Sequence, residues 1–179
     1  YTKAIDLDPE NPLLYSNRAD IWLSLEEYTK ALTDYKTAIE LESDNPEWYE
    51  YRAYCYVEME DYTSALKDYD KAIDLVPNES KYYNNRGDFY KLYLEEDELA
   101  LKDYSKAIDL NSDDFQTTRT INNRALIYED RGEDKLAIDE YTKAIEIDPE
   151  DPLYYSNRAR RWQRLEEYTK ALTDYKTAI

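Results

Sequence analysis

Tyr15-Ser16-Asn17-Arg18-Ala19 recurs as Tyr49-Glu50-Tyr51-Arg52-Ala53, Tyr83-Asn84-Asn85-Arg86-Gly87, Ile121-Asn122-Asn123-Arg124-Ala125 and Tyr155-Ser156-Asn157-Arg158-Ala159. The arginines step by 34, 34, 38 and 34 residues. Each block is followed by Ala, three residues, Tyr, two residues, Ala: Ala31/Tyr35/Ala38, Ala65/Tyr69/Ala72, Ala100/Tyr104/Ala107, Ala137/Tyr141/Ala144 and Ala171/Tyr175/Ala178. A fixed period of this length marks an array in which each unit buries its apolar face only by stacking on its neighbours.

Within a unit, apolar and aromatic residues recur at three- and four-residue spacing, which predicts two helices: helix A from Pro12 to about Leu25 and helix B from about Glu27 to Leu41 in the first full unit. The break at Leu25-Glu26-Glu27 has no Gly and reads as a tight turn between helices. Between units, Asp8-Pro9-Glu10-Asn11-Pro12, Ser43-Asp44-Asn45-Pro46 and Asp148-Pro149-Glu150-Asp151-Pro152 combine acidic caps with Pro at the start of the next helix.

The pattern resembles the tetratricopeptide repeat family. Tyr15, Ala19, Trp22, Ala31 and Tyr35 fill its aromatic and small positions in the first full unit, and Tyr49, Ala53, Tyr56, Ala65, Tyr69 and Pro77 fill them in the second. The resemblance covers essentially the whole chain and implies an all-α fold, a right-handed superhelical α-solenoid of antiparallel helix hairpins. One departure stands out: the large apolar residue usual before the small one is replaced by Arg18, Arg52, Arg86, Arg124 and Arg158. The expected organisation is one continuous array: a remnant helix B over 1–11, repeats over 12–45, 46–79, 80–117 and 118–151, and a partial repeat over 152–179. Both ends fall inside a helix B, as in a fragment of a longer array.

Two units break the period. Gly87 and Ala100 are 13 residues apart where Ala19 and Ala31 are 12, so one extra residue is expected in the A–B turn near Leu94 to Asp97. Ala107 and Arg124 are 17 apart where Ala72 and Arg86 are 14, which puts three inserted residues near Asp113 to Thr117.

Composition narrows the function classes. With no His, one Cys and no Gly-rich phosphate loop, general-base and nucleophile arrangements lack their material, so no enzyme activity and no cofactor are expected. Asp6-Leu7-Asp8 lacks the Gly and terminal Glu of a calcium loop, so no metal is expected. A net charge of −18 argues against nucleic acid, whose phosphates need a basic footprint. No stretch approaches the roughly 18 apolar residues of a membrane helix, so no membrane partner is expected. The lone Cys55 fits a reducing compartment, and a cytoplasmic location is the expectation.

Each repeated Arg has a carboxylate that recurs with it: Asp34, Asp68, Glu140 and Asp174 stand sixteen residues after Arg18, Arg52, Arg124 and Arg158, and Asp103 stands seventeen after Arg86. Antiparallel pairing of helices A and B would bring these into structural salt bridges, for which the planar guanidinium is suited.

The residue before each Arg is Asn17, Tyr51, Asn85, Asn123 or Asn157. The resemblance implies that this face of helix A lines a concave groove, where asparagines in some family members hold the backbone of an extended polypeptide. An amide donates and accepts at once, so it can satisfy any peptide group. A solvated polar residue on a helix is the alternative reading. The family's carboxylate clamp is not matched, because Ser16, Glu50, Asn84, Asn122 and Ser156 stand where Lys would be expected. The function so implied is a scaffold for protein–protein interaction, binding an extended peptide or partner protein.

Residues 12–39 and 152–179 differ at five of 28 positions: Leu14/Tyr154, Asp20/Arg160, Ile21/Arg161, Leu23/Gln163 and Ser24/Arg164. Three new arginines make the last segment basic. Arg160, Arg161 and Arg164 could therefore cap a terminal repeat, meet an acidic partner or meet the acidic first end of another copy, giving head-to-tail self-association as the alternative function.

Overall fold

The computed structural model describes residues 1–111 and 115–179. Its helices are α1 (Thr2–Leu7), α2 (Pro12–Ser24), α3 (Tyr28–Leu41), α4 (Pro46–Glu58), α5 (Tyr62–Leu75), α6 (Ser80–Phe89, continued by a π-helical turn over Tyr90–Leu94), α7 (Asp97–Leu110), α8 (Phe115–Asp130), α9 (Asp134–Ile147), α10 (Pro152–Arg164) and α11 (Tyr168–Thr177). The described residues contain no strand. Of the stretch Asp113 to Thr117, where three inserted residues are expected, 113 and 114 lie outside the described residues and 115–117 open α8.

The chain forms two compact units, Tyr1–Tyr82 and Tyr83–Ile179. In the first, α2 pairs with α3 and α4 with α5, α3 packs on α4, and α1 lies against α2. In the second, α8 pairs with α9 and α10 with α11, while α7 packs on α8 and α9 on α10.

Small residues set the closeness of each hairpin. Ala19 on α2 and Ala31, Tyr35 and Ala38 on α3, the helix paired with it, are all fully buried. The second unit repeats this with Ala125, Ala137, Tyr141 and Ala144, joined by Ile121 and Tyr154 in one cluster. Replacing such a buried tyrosine by Ala would cost about 3–5 kcal/mol, by analogy with aromatic truncations in other cores. In α6 the small residue is Gly87, where even a methyl group would lie 2.7 Å from the Tyr104 ring.

The helix starts refine the expected caps. Pro12, Pro46 and Pro152 open α2, α4 and α10, but the capping oxygens are the Asn11 and Asn45 amides and, in one case only, the carboxylate of Asp151. Asn and Asp serve equally here, because the task is to accept a hydrogen bond from a first-turn N–H.

At the other end of helix A in four of the hairpins, two hydrogen bonds close the helix over a residue with positive φ. Glu27 N donates to the Trp22 carbonyl (2.8 Å) and Glu26 N to that of Leu23 (2.9 Å), with φ 60° at Glu26. Glu60, Gly132 and Glu166 take the same place in their hairpins. This is a Schellman ending, and it usually selects Gly, which only Gly132 supplies.

The third hairpin shows where the extra residue goes. The sequence placed it in the turn near Leu94 to Asp97; instead the last turn of helix A widens over Tyr90–Leu94. Glu96 N reaches back six residues to Tyr90 O at 3.0 Å, where Glu27 reaches back five. Absorbing a residue as a π-bulge keeps the backbone hydrogen-bonded and leaves the αL ending, now at Glu95 (φ 54°), intact.

Candidate functional site

The recurring Arg and carboxylate meet in every hairpin. In the first unit Arg18 donates from Nε and Nη2 to the two oxygens of Asp34, both at 2.7 Å, and Arg52 does the same to Asp68, also at 2.7 Å. In the second unit Arg86 holds Asp103 (2.7 and 2.8 Å) and Arg158 holds Asp174 (both 2.8 Å). Arg124 differs: its Nε and Nη2 reach one oxygen of Glu140, at 2.8 and 2.5 Å, and Lys143 takes the other oxygen at 2.8 Å. The longer Glu side chain accounts for the altered approach.

Four of these guanidinium groups also lie over the ring three residues before them, Tyr15, Tyr49, Tyr83 or Tyr155, at 5.4–5.9 Å. In the fourth hairpin Ile121 replaces that ring. Hydrogen bonding to Asp34 and Asp174 holds Arg18 and Arg158 above the ordinary guanidinium range, against the opposing effect of burial. These pairs fasten helix A to helix B, and the carboxylates are buried, so they form the frame of the site and not its contact surface.

A second recurring bond has no counterpart in the sequence reading. The helix B tyrosines donate to a polar group on helix A: Tyr35 to Asp20, Tyr104 to Asp88 Oδ1 (2.7 Å), Tyr141 to Glu129 Oε1 (2.7 Å) and Tyr175 to Gln163 (3.4 Å). Burial, then the neighbouring carboxylate, pushes the Tyr35, Tyr104 and Tyr141 hydroxyls far above the ordinary phenol range. The available signal was a polar residue two or five positions after Arg18, Arg86, Arg124 and Arg158, at helical reach from the tyrosine.

The helix A face of the first unit carries Asn17, exposed on α2, and Tyr51, 39% exposed on α4. Tyr51 stacks on Tyr35 with centroids 6.0 Å apart and planes 25° apart. One turn on, Tyr54 is 43% exposed. Carboxylates surround the pair. Desolvation raises the Tyr51 hydroxyl, and Glu47, Glu50 and Asp20 raise it further against Lys81. Burial, then Glu58 beyond Tyr54 on α4, raises the Tyr28 hydroxyl. Lys81 Nζ lies 2.7 Å from Glu50 and 3.8 Å from Glu47.

The corresponding face of the second unit is a network of amides. Asp88 accepts from Tyr104, from Asn123 Nδ2 (2.8 Å) and from Asn84 Nδ2 (3.4 Å), with Arg119 at 3.6 Å. Asn84 in turn accepts from the Thr120 hydroxyl at 2.9 Å. Burial nevertheless holds the Asp88 carboxyl above the usual carboxylate range. Asn157 is buried, donates to Asn122 Oδ1 at 3.5 Å and accepts from Arg160. Of the five residues expected to line a groove, Asn17 and Tyr51 are exposed and Asn85 is half-buried, whereas Asn123 and Asn157 are drawn into bonds within their own unit.

Of the three arginines peculiar to the last repeat, Arg161 is turned inward, while Arg160 and Arg164 are exposed. Arg161 is 9% exposed and lies 3.4 Å from both Glu129 and Asp134. Arg164 approaches Asp134 at 3.4 Å. The expectation of three arginines presented to a partner is corrected for Arg161, because the carboxylates of the preceding hairpin neutralise it inside the unit.

Among the described residues no group of three or more His, Cys, Asp or Glu is placed to hold a metal ion, and no helix is long and apolar enough to cross a membrane. Cys55 is fully buried, and burial pushes its thiol up to about 12, which leaves it inert at neutral pH.

Comparison with known proteins identifies the architecture. Residues 19–59 and 125–160 match a family model for the TPR repeat, and residues 46–79 and 80–114 match two models of the tetratricopeptide repeat. Among solved structures, the chain is similar to the MamA protein, with a TM-score of 0.78 at 20% identity over 95% of this chain and 91% of that one. It is similar to YrrB, described as a TPR protein with an unusual peptide-binding site, with a TM-score of 0.71 at 27% identity over 99% and 90%. It is also similar to pilF of Pseudomonas aeruginosa, with a TM-score of 0.75 at 17% identity over 93% and 74%.

Proposed function

Because this chain belongs to the tetratricopeptide repeat family, we propose that it is a non-catalytic scaffold that binds a partner protein or an extended peptide along the helix A faces of its repeats. The observation that carries this reading is the side chains on that face in the first unit. Tyr51 and Tyr54 are two large rings held partly out of the core, one of them already ordered by stacking on Tyr35. Rigid aromatic area bordered by polar groups is the composition that protein-recognition surfaces favour. Asn17, exposed on α2, supplies an amide able to meet a peptide backbone. YrrB, alike in fold and 27% identical, is described by its own peptide-binding site, which is in keeping with this reading.

Head-to-tail association through Arg160, Arg161 and Arg164 lacks comparable support, since Arg161 and Arg164 are engaged by Glu129 and Asp134. Binding of an immobilised peptide library to the full chain, followed by hydrogen–deuterium exchange with the best ligands, tests the proposal. Protection should fall on α2, α4, α6, α8 or α10, and Asn17→Ala with Tyr51→Ala should weaken binding without changing helicity. Protection confined to α3, α5, α7, α9 and α11 would overturn it.

A further inference from the structure

The first unit holds eight Lys and Arg against nineteen Asp and Glu. That imbalance alone makes no site, because carboxylates spread over helices are ordinary solvated surface. What distinguishes the α2–α4 face is the aromatic surface set among the charges. Tyr51 and Tyr54 stand three residues apart on α4, so they project from one side of the helix. Glu47 lies one turn before Tyr51, Glu58 one turn after Tyr54, and Asp20 comes across from α2, where it already receives the Tyr35 hydroxyl. The face is thus apolar in its centre and anionic on its rim.

The chain itself shows what such a face accepts. The Lys81 ammonium is drawn to it, 2.7 Å from Glu50 and 3.8 Å from Glu47, and lies 5.3 Å from the centre of the Tyr82 ring. An ammonium held between carboxylates and an aromatic ring is the arrangement a cationic guest would reproduce at Tyr51 and Tyr54. Electron-rich ring faces attract Lys and Arg, and the attraction grows where the contact is partly dry.

We propose that the α2–α4 face of the first unit selects an extended peptide rich in Lys and Arg, whose cationic side chains pack on Tyr51 and Tyr54 and pair with Asp20, Glu47 and Glu58. This rests on the scaffold reading above and adds the chemistry of the partner. The stacked Tyr51 ring is ordered before binding, which lowers the entropy cost of forming the contact. The carboxylate rim raises the association rate of a cationic segment and makes binding salt-dependent.

The test uses the full chain and fluorescein-labelled octapeptides followed by fluorescence anisotropy: one alternating Arg or Lys with Ser, one alternating Glu with Ser, and one of Ser and Gln alone. The cationic peptide should bind about tenfold or more tightly than the other two and weaken on raising salt from about 50 to 300 mM. Tyr54→Ala, at an exposed position, should weaken it about fivefold or more, a loss of the order expected for one cation–aromatic contact. Tyr51→Phe, which keeps the ring, should not. Glu47→Gln with Glu58→Gln should weaken it further, whereas Glu40→Gln with Asp74→Asn, an equal charge change on the helices B, should have little effect. Equal losses from both double variants would reduce the attraction to net charge and overturn the proposal. Preference of the same face for the neutral or acidic peptide would overturn the cationic selection and leave the scaffold standing; binding of a library peptide confined to helices B would remove both.

Discussion

Residues 12–39 and 152–179 are almost the same sequence in two settings. The frame is unchanged: Arg18 grips Asp34 at 2.7 Å and Arg158 grips Asp174 at 2.8 Å, through the same pair of nitrogens. The helix A surface is not. In the first copy Ile21 is 51% exposed and Asp20 receives the hydroxyl of a fully buried Tyr35. In the second, Arg161 is 9% exposed between two carboxylates of the preceding hairpin, Arg160 bonds Asn157, and a half-buried Tyr175 turns to Gln163. A repeat therefore consists of two separable parts: a clasp between its own helices, which is internal, and a helix A surface whose role is set by what its neighbours present.

The clasp should matter equally in both copies. Asp34→Ala and Asp174→Ala each strand a guanidinium that is mostly buried, and each should cost about 3 kcal/mol. Repeat arrays need not unfold in one step, so the measurement is amide hydrogen exchange resolved to α2–α3 and to α10–α11. A loss in one copy several times that in the other would break the comparison and show that neighbours also govern the clasp.

Exchanging the residues that differ should give opposite results in the two places. Arg161→Ile removes the cation beside Glu129 and leaves Asp134 with the half-exposed Arg164 alone, for a cost of about 2 kcal/mol by the penalty for a buried charge deprived of its partner. Ile21→Arg changes a half-exposed position and should stay within about 0.5 kcal/mol of the parent. Urea unfolding followed by circular dichroism checks both. Similar losses from the two exchanges would mean that helix geometry, and not the neighbouring carboxylates, sets the environment.

The same division explains how much could be read from the sequence. The hairpins and the Arg–carboxylate clasps were legible because both obey one spacing, sixteen residues, or seventeen where Arg86 meets Asp103 across the added residue. The place of that residue was not. A loop and a widened helical turn satisfy the backbone about equally well, and the choice fell on Tyr90–Leu94, with Gly87 packed against Tyr104 in the same hairpin. The fates of Asn123, Asn157 and Arg161 were hidden for another reason. Each is decided by a partner on a different hairpin, Asp88, Asn122 or Glu129, and a reading of one repeat at a time does not contain those pairs.

An effect smaller than those of the clasp and of Arg161 should come from a position that the two copies share in both sequence and backbone. Glu26 and Glu166 hold φ at 60° and 62° in identical Leu-Glu-Glu turns, a backbone conformation in which a side chain costs about 1–2 kcal/mol and glycine costs nothing sterically. Against this, glycine gains freedom in the unfolded chain, which returns part of the benefit. Glu26→Gly and Glu166→Gly should each stabilise by about 0.5–1 kcal/mol, by like amounts in the two copies. The fourth hairpin supplies the reverse test. Gly132 holds φ at 72°, and a methyl group added there would meet only Arg164 Nη2, at 3.9 Å. With no packing clash to confuse the result, Gly132→Ala should cost about 1 kcal/mol through the backbone alone. Urea midpoints of the three variants against the parent decide the matter. Stabilisation by glycine at one glutamate and not at the other would mean that these turns, alike in sequence and in φ, are held by different surroundings, and the internal part of the repeat would shrink to the clasp.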